Sequence, residues 1–199
     1  MGEVRPAAAA CRRKHGRGRG SLLSGSARAQ LTALPFPDVA SIPPELELRP
    51  LNGGTRTAAE QLTMFHLVFA VIDPYTYESS WILETAARIL TNFFGADCRV
   101  AWLVTGDEKA AREFLGPLAE SILTFVDPDR EVVKALEISE LPAFVHISQD
   151  LSIEASAQGW DPAEWREVAE NLAEKMSWTR PVIPVDGDPV GYPGTPALS

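Results

Sequence analysis

Sulfur and histidine are the scarce residues of this chain. Among its 199 residues there are two cysteines, Cys11 and Cys98, and three histidines, His15, His66 and His146. Two cysteines cannot build a disulfide framework. The histidines are scattered, and no pair has metal-ligand spacing with a cysteine or carboxylate nearby, so neither a metal nor a cofactor is expected. No stretch approaches the ~20 apolar residues of a membrane helix. An export signal at Arg12-Arg13 would need a following apolar run of roughly 7 to 15 residues, and only Leu22 and Leu23 are there. These absences point to a soluble, cytoplasmic protein without a membrane contact.

Positive charge is also outnumbered over most of the chain. Residues 1–30 carry seven Lys or Arg against one acid, whereas residues 31–199 carry eleven against twenty-six. The folded part is therefore acidic and is not expected to bind nucleic acid. The basic start, "CRRKHGRGRGSLLSGSARAQ", has too little apolar surface to offset the entropy of ordering and reads as a disordered tail over 1–30.

What is present is mostly one domain's worth of alternating strand and helix signals. Residues 31–60 contain "LPFPDVASIPPELELRPLNGG", whose five prolines and paired glycines suggest an extended arm, with "ELELRPL" as one added edge strand. "FHLVFAVI" (65–72) is a continuous apolar run, as a central strand covered on both faces requires. Apolar residues from Trp81 to Phe93 recur at helical spacing up to Gly95. "CRVAWLV" (98–104) reads as a second strand, with Cys98 on the side of Val100, Trp102 and Val104 and acting there as a small buried hydrophobe. A helix over 107–121 is expected to break at Gly116 and Pro117. Strand 122–126, a short helix over 129–138, strand 143–148, its hairpin partner 151–157 and a last helix over 161–178 complete the order. Strands joined through helices give parallel pairs, and the final hairpin adds an antiparallel edge. The expectation is an α/β fold with a mixed central β-sheet flanked by helices.

Residues 122–157, "ILTFVDPDREVVKALEISELPAFVHISQDLSIEASA", resemble the thioredoxin superfamily, in particular its redoxin and peroxiredoxin branch. The resemblance spans about residues 60–176 and lies in the order of elements more than in any one motif. It implies a thioredoxin-like domain over 61–178 and a cis proline at Pro142 opposite an active-site turn. In that family the turn between first strand and helix holds Cys-x-x-Cys or Thr-x-x-Cys, because a helix start stabilises a thiolate. The corresponding residues here are Thr76, Tyr77, Glu78 and Ser79, and residues 73–80 contain no cysteine.

A serine hydroxyl forms no disulfide and stays protonated unless a base activates it. Glu78 is either that base or a residue that favours the helix dipole. Thr76 and Ser79 are N-cap candidates. Ala70 stands where the family buries an aspartate, and Glu84 where it has a kinking proline. No catalytic residue is assigned.

The family also pairs the residue before its cis proline with an extended partner segment. Leu141 and Pro142, facing Tyr75, Tyr77 and Trp81, would then form a groove for a protein, peptide or small molecule, unless the aromatics only cover the helix end. Three kinds of function remain: a redox-inactive binding module using that groove; an enzyme, either a thiol-disulfide oxidoreductase or peroxiredoxin-like enzyme with a non-standard site, for which Cys98 must lie exposed near Pro142, or a hydroxyl-based transferase built on Ser79; and a structural subunit whose acidic surface docks to a larger assembly. Residues 179–199, with five prolines and three glycines, form no helix and carry enough apolar surface to lie against the domain.

Overall fold

The computed structural model describes residues 40–198. The basic tail over 1–30 and the first residues of the proline-rich arm lie outside the described residues.

Three buried apolar runs form the middle of the sheet. β3 (His66–Ile72), β4 (Cys98–Val104) and β5 (Leu123–Val126) are parallel, with His66 opposite Cys98 and Ile72 opposite Val104. β7 (Ala143–Ile147) runs antiparallel to β3, and β8 (Ile153–Gln158) completes the expected hairpin with a register shift after His146. "ELRP" forms β1 (Glu47–Pro50) beside β5, and β2 (Arg56–Thr57) adds outside it, where the sequence showed no strand signal. The seven strands lie in the order β2-β1-β5-β4-β3-β7-β8.

Because side chains alternate across a strand, the central runs feed two cores. Val68, Ala70, Ile72, Val100, Trp102, Val104 and Phe144 face one side, against α3 (Leu83–Asn92), α4 (Glu108–Leu115) and α7 (Pro162–Lys175). Leu67, Phe69, Val71, Ala101, Leu103, Phe125 and Val145 face the other, with α1 (Ala58–Gln61) and α6 (Glu131–Ala135). This is a thioredoxin-like fold, with a mixed central sheet between helical layers. Among the described residues no helix is long and apolar enough to cross a membrane.

One helix differs from its sequence pattern. The one expected from Trp81 begins a turn earlier, as α2 (Tyr77–Trp81), and is divided from α3 at Ile82. Ile82 is fully buried, so apolar periodicity runs through the break and conceals it. The 107–121 helix divides as anticipated: Gly116 adopts φ 53° between α4 and α5 (Leu118–Ser121). Residues 179–198 form no helix and lie along the domain, where Ile183 and Ala197 are buried.

Candidate functional site

The turn after β3 is organised by Asp73. Its carboxylate accepts from the Tyr75 N–H at 2.8 Å through one oxygen and from Arg130 at 3.0 Å through the other. Its own N–H donates to Ser79 Oγ at 2.9 Å, and the Thr76 hydroxyl donates to the same Ser79 oxygen at 3.0 Å. The hydroxyl-rich stretch is thus folded onto itself. Ser79 is fully buried inside α2, so the N-cap role considered for it does not apply. Thr76 does stand at the N-cap, with extended backbone, but its hydroxyl caps no amide because it is turned back toward Asp73 and Ser79. Glu78 lies in the first turn of α2, as a dipole-favouring residue does.

A serine in this position is a poor nucleophile. Its oxygen already accepts two hydrogen bonds, and His146 is elsewhere: it pairs with Val68, near the opposite end of β3. His146 Nδ1 lies 2.8 Å from Asn171 Oδ1, and His146 Nε2 lies 2.8 Å from His66 Nδ1. Burial pushes His146 down to about 4 and lowers His66 as well.

Cys98 begins β4, half-buried, opposite His66. Six residues of strand separate that level from the turn, roughly 20 Å at ~3.3 Å per residue. Burial, with a smaller contribution from Asp97, pushes its thiol up to about 11. The side chain packs against the core but is only half-buried, less enclosed than its strand pattern suggested, and does not approach the turn.

Aromatic side chains dominate the outer surface of the turn. Tyr75, Tyr77 and Trp81 expose 71%, 79% and 56% of their area. Two open clefts flank them. One, of about 470 Å³, is lined by Trp81, Glu84, Arg88, Asp186 and Asp188 among others, and the second, of about 320 Å³, by Pro74, Tyr75, Ala110, Glu113 and Phe114.

Leu141 and Pro142 are placed otherwise than an open groove requires. Their peptide bond is cis, and both residues are buried. The strand-pairing edge at β6 (Glu140–Leu141) is taken by β9 (Thr195–Pro196), with Leu141 opposite Thr195 and Glu140 opposite Pro196. The Ala197 N–H donates to Ser139 O at 2.8 Å, and Arg130 donates to the Ala197 carbonyl with one nitrogen while binding Asp73 with another. Tyr192 packs edge-to-face on Trp81, ring centroids 5.5 Å apart, and donates its hydroxyl to Glu78 O. Arg130 and Tyr192 are therefore part of this site although neither carries a sequence signal for it. Among the described residues no group of three His, Cys, Asp or Glu side chains is arranged to hold a metal ion.

No protein-family profile matches this chain, and no curated protein does. Solved structures match it clearly. DsbF of Mycobacterium tuberculosis is 13% identical, with 67% of this chain and 98% of that one covered at a TM-score of 0.55. A thiol:disulfide interchange protein DsbE from Chlorobium tepidum is 11% identical, covering 70% and 98% at 0.58. The exposed lipoprotein thioredoxin Etrx1 of Streptococcus pneumoniae is 16% identical, covering 64% and 97% at 0.52. At these identities the likeness is one of fold.

Proposed function

We propose that this chain is a thioredoxin-fold binding module without thiol chemistry, which recognises a protein or peptide partner through the aromatic face of the turn. One observation carries the reading: the turn's hydroxyls are consumed by internal hydrogen bonds while its three aromatics stand exposed. Such residues supply large, rigid contact area at low entropic cost. Glu84, Glu113 and Asp186 are exposed at the rims of the neighbouring clefts. The partner segment should therefore carry Lys or Arg beside an apolar stretch.

A second reading, a thiol-disulfide oxidoreductase, is favoured by the names of the solved neighbours. Among the described residues it would use Cys98, whose thiol is pushed up to about 11 at the far end of β4. The two readings separate in one set of experiments. A displayed peptide library panned on the full chain should return basic-apolar peptides that bind about tenfold more weakly to Tyr75→Ala/Tyr77→Ala. Insulin reduction or peroxide consumption should be absent. Turnover that disappears in Cys98→Ser would replace the binding reading with the enzymatic one.

A further inference from the structure

Strand addition to Glu140–Leu141 is blocked by the protein's own chain. We propose that Gly191–Ala197, "GYPGTPA", is a built-in ligand: it occupies the edge in cis, must leave before an extended peptide can pair there, and reveals the chemistry of the peptide that the edge accepts. The inference rests on the binding reading above.

The segment is seated residue by residue. Tyr192 N–H and C=O exchange hydrogen bonds with Trp160 at 2.9 and 3.0 Å, while its ring meets Trp81. Gly194 passes so close to β6 that an added Cβ would lie 2.8 Å from Leu141 O and 2.8 Å from Glu140 Cβ. Gly159 faces it, and a Cβ there would lie 2.9 Å from Gly194 N. Only two glycines allow this approach. Thr195 stands opposite Leu141, its hydroxyl 3.3 Å from Leu141 O, and Ala197 is fully buried. The fitting peptide is thus extended, with an aromatic residue three positions before the one opposite Leu141, glycine immediately before it, and a small residue two positions after.

The occupancy is of a kind that can be reversed. β9 has two residues and pairs only with β6, outside the seven-stranded sheet. So short a pairing is marginal by itself and depends on the tether that raises its local concentration. The tether is pinned upstream by Asp188, which accepts from Arg88 at 2.7 and 3.0 Å and from Thr85 at 2.8 Å. The segment beyond Pro189 can therefore lift as a unit while its base stays attached.

The test uses a fluorescein-labelled peptide of residues 188–198 and anisotropy on the full chain. Gly194→Val forces the segment off β6, and the folded variant should bind the probe at least ~tenfold more tightly than the unaltered chain does. A probe carrying valine at the same position should bind neither protein. Tyr192→Ala, which removes only the ring and hydroxyl contacts, should give a smaller gain and serves if Gly194→Val does not fold. Hydrogen exchange supplies an independent measure: the Ala197 amide should exchange faster than amides of β3. A folded variant that gains nothing, a valine probe that binds as well as its parent, or an Ala197 amide that exchanges only on global unfolding would overturn the proposal. Probe binding to Gly194→Val with an empty library selection would support the built-in ligand and remove the partner reading. The converse result would overturn the built-in ligand alone.

Discussion

The two ends of β3 hold opposite kinds of residue. At its start stand His66, the neighbouring His146 and, on β4, Cys98, the side chains most capable of acid-base or thiol chemistry. At its end stand Asp73, Thr76 and Ser79, tied to one another, with exposed tyrosines and a tryptophan outside them. Burial acts on the first group in one direction: it raises the thiol and lowers the imidazoles, so each is held neutral near pH 7. At this partly buried end of the sheet the reactive residue types are held in their neutral forms. At the exposed end the surface is suited to contact instead.

The largest test of that contrast is pH. Both histidines have folded-state values below the usual one near 6.5, so their contribution to stability is fully present above that value and is lost as pH falls. Burial leads the causes, while Glu154 opposes it and Lys175 reinforces it. Urea unfolding should show stability declining by about 3 kcal/mol between pH 6.5 and 4. His146→Gln should flatten the decline, and an unchanged slope would show that the pair is not held neutral.

Moving a thiol to the turn sharpens the comparison further. A cysteine introduced by Thr76→Cys, half-exposed at the start of α2, should keep a value near ~8.5, against about 11 for Cys98. Its alkylation at pH 8, followed by peptide mass, should be on the order of 100-fold faster than that of Cys98. Equal rates would mean that the ends do not differ in electrostatic character. Ser79→Ala leaves the buried Asp73 N–H unpaired and should cost about 2 kcal/mol, whereas the exposed Ser80→Ala should stay within about 0.5 kcal/mol. The smallest effect on stability belongs to Tyr77→Ala. With 79% of the residue in solvent, its midpoint should move by less than about 0.5 kcal/mol, even as it weakens capture of library peptides.

The fold was readable where an element is long and its pattern continuous. The apolar run 65–72 became a central strand, "CRVAWLV" its parallel neighbour, and Gly116-Pro117 a helix break. The break at Ile82 was hidden because a buried residue at a kink still satisfies helical spacing. The site was less readable. Asp73 before a proline is a turn signal, but nothing in the sequence tells that Ser79 would accept its amide from six residues on. Nor does local pattern bring together Arg130, Asp73 and Ala197, which are joined only across the folded chain.

By itself the sequence determined the alternation of strands and helices along the chain and the absence of cysteine from the turn, because these follow from short-range periodicity and residue identity. It also determined that residues 179–199 would not be helical, since prolines remove amide donors and fix φ. Tertiary structure decided what that non-helical backbone does. Its free polar groups found Ser139, Leu141 and Trp160, each more than thirty residues away along the chain. Which edge is closed, which hydroxyl is buried and which thiol is desolvated are properties of distance in space, and a linear pattern does not encode them.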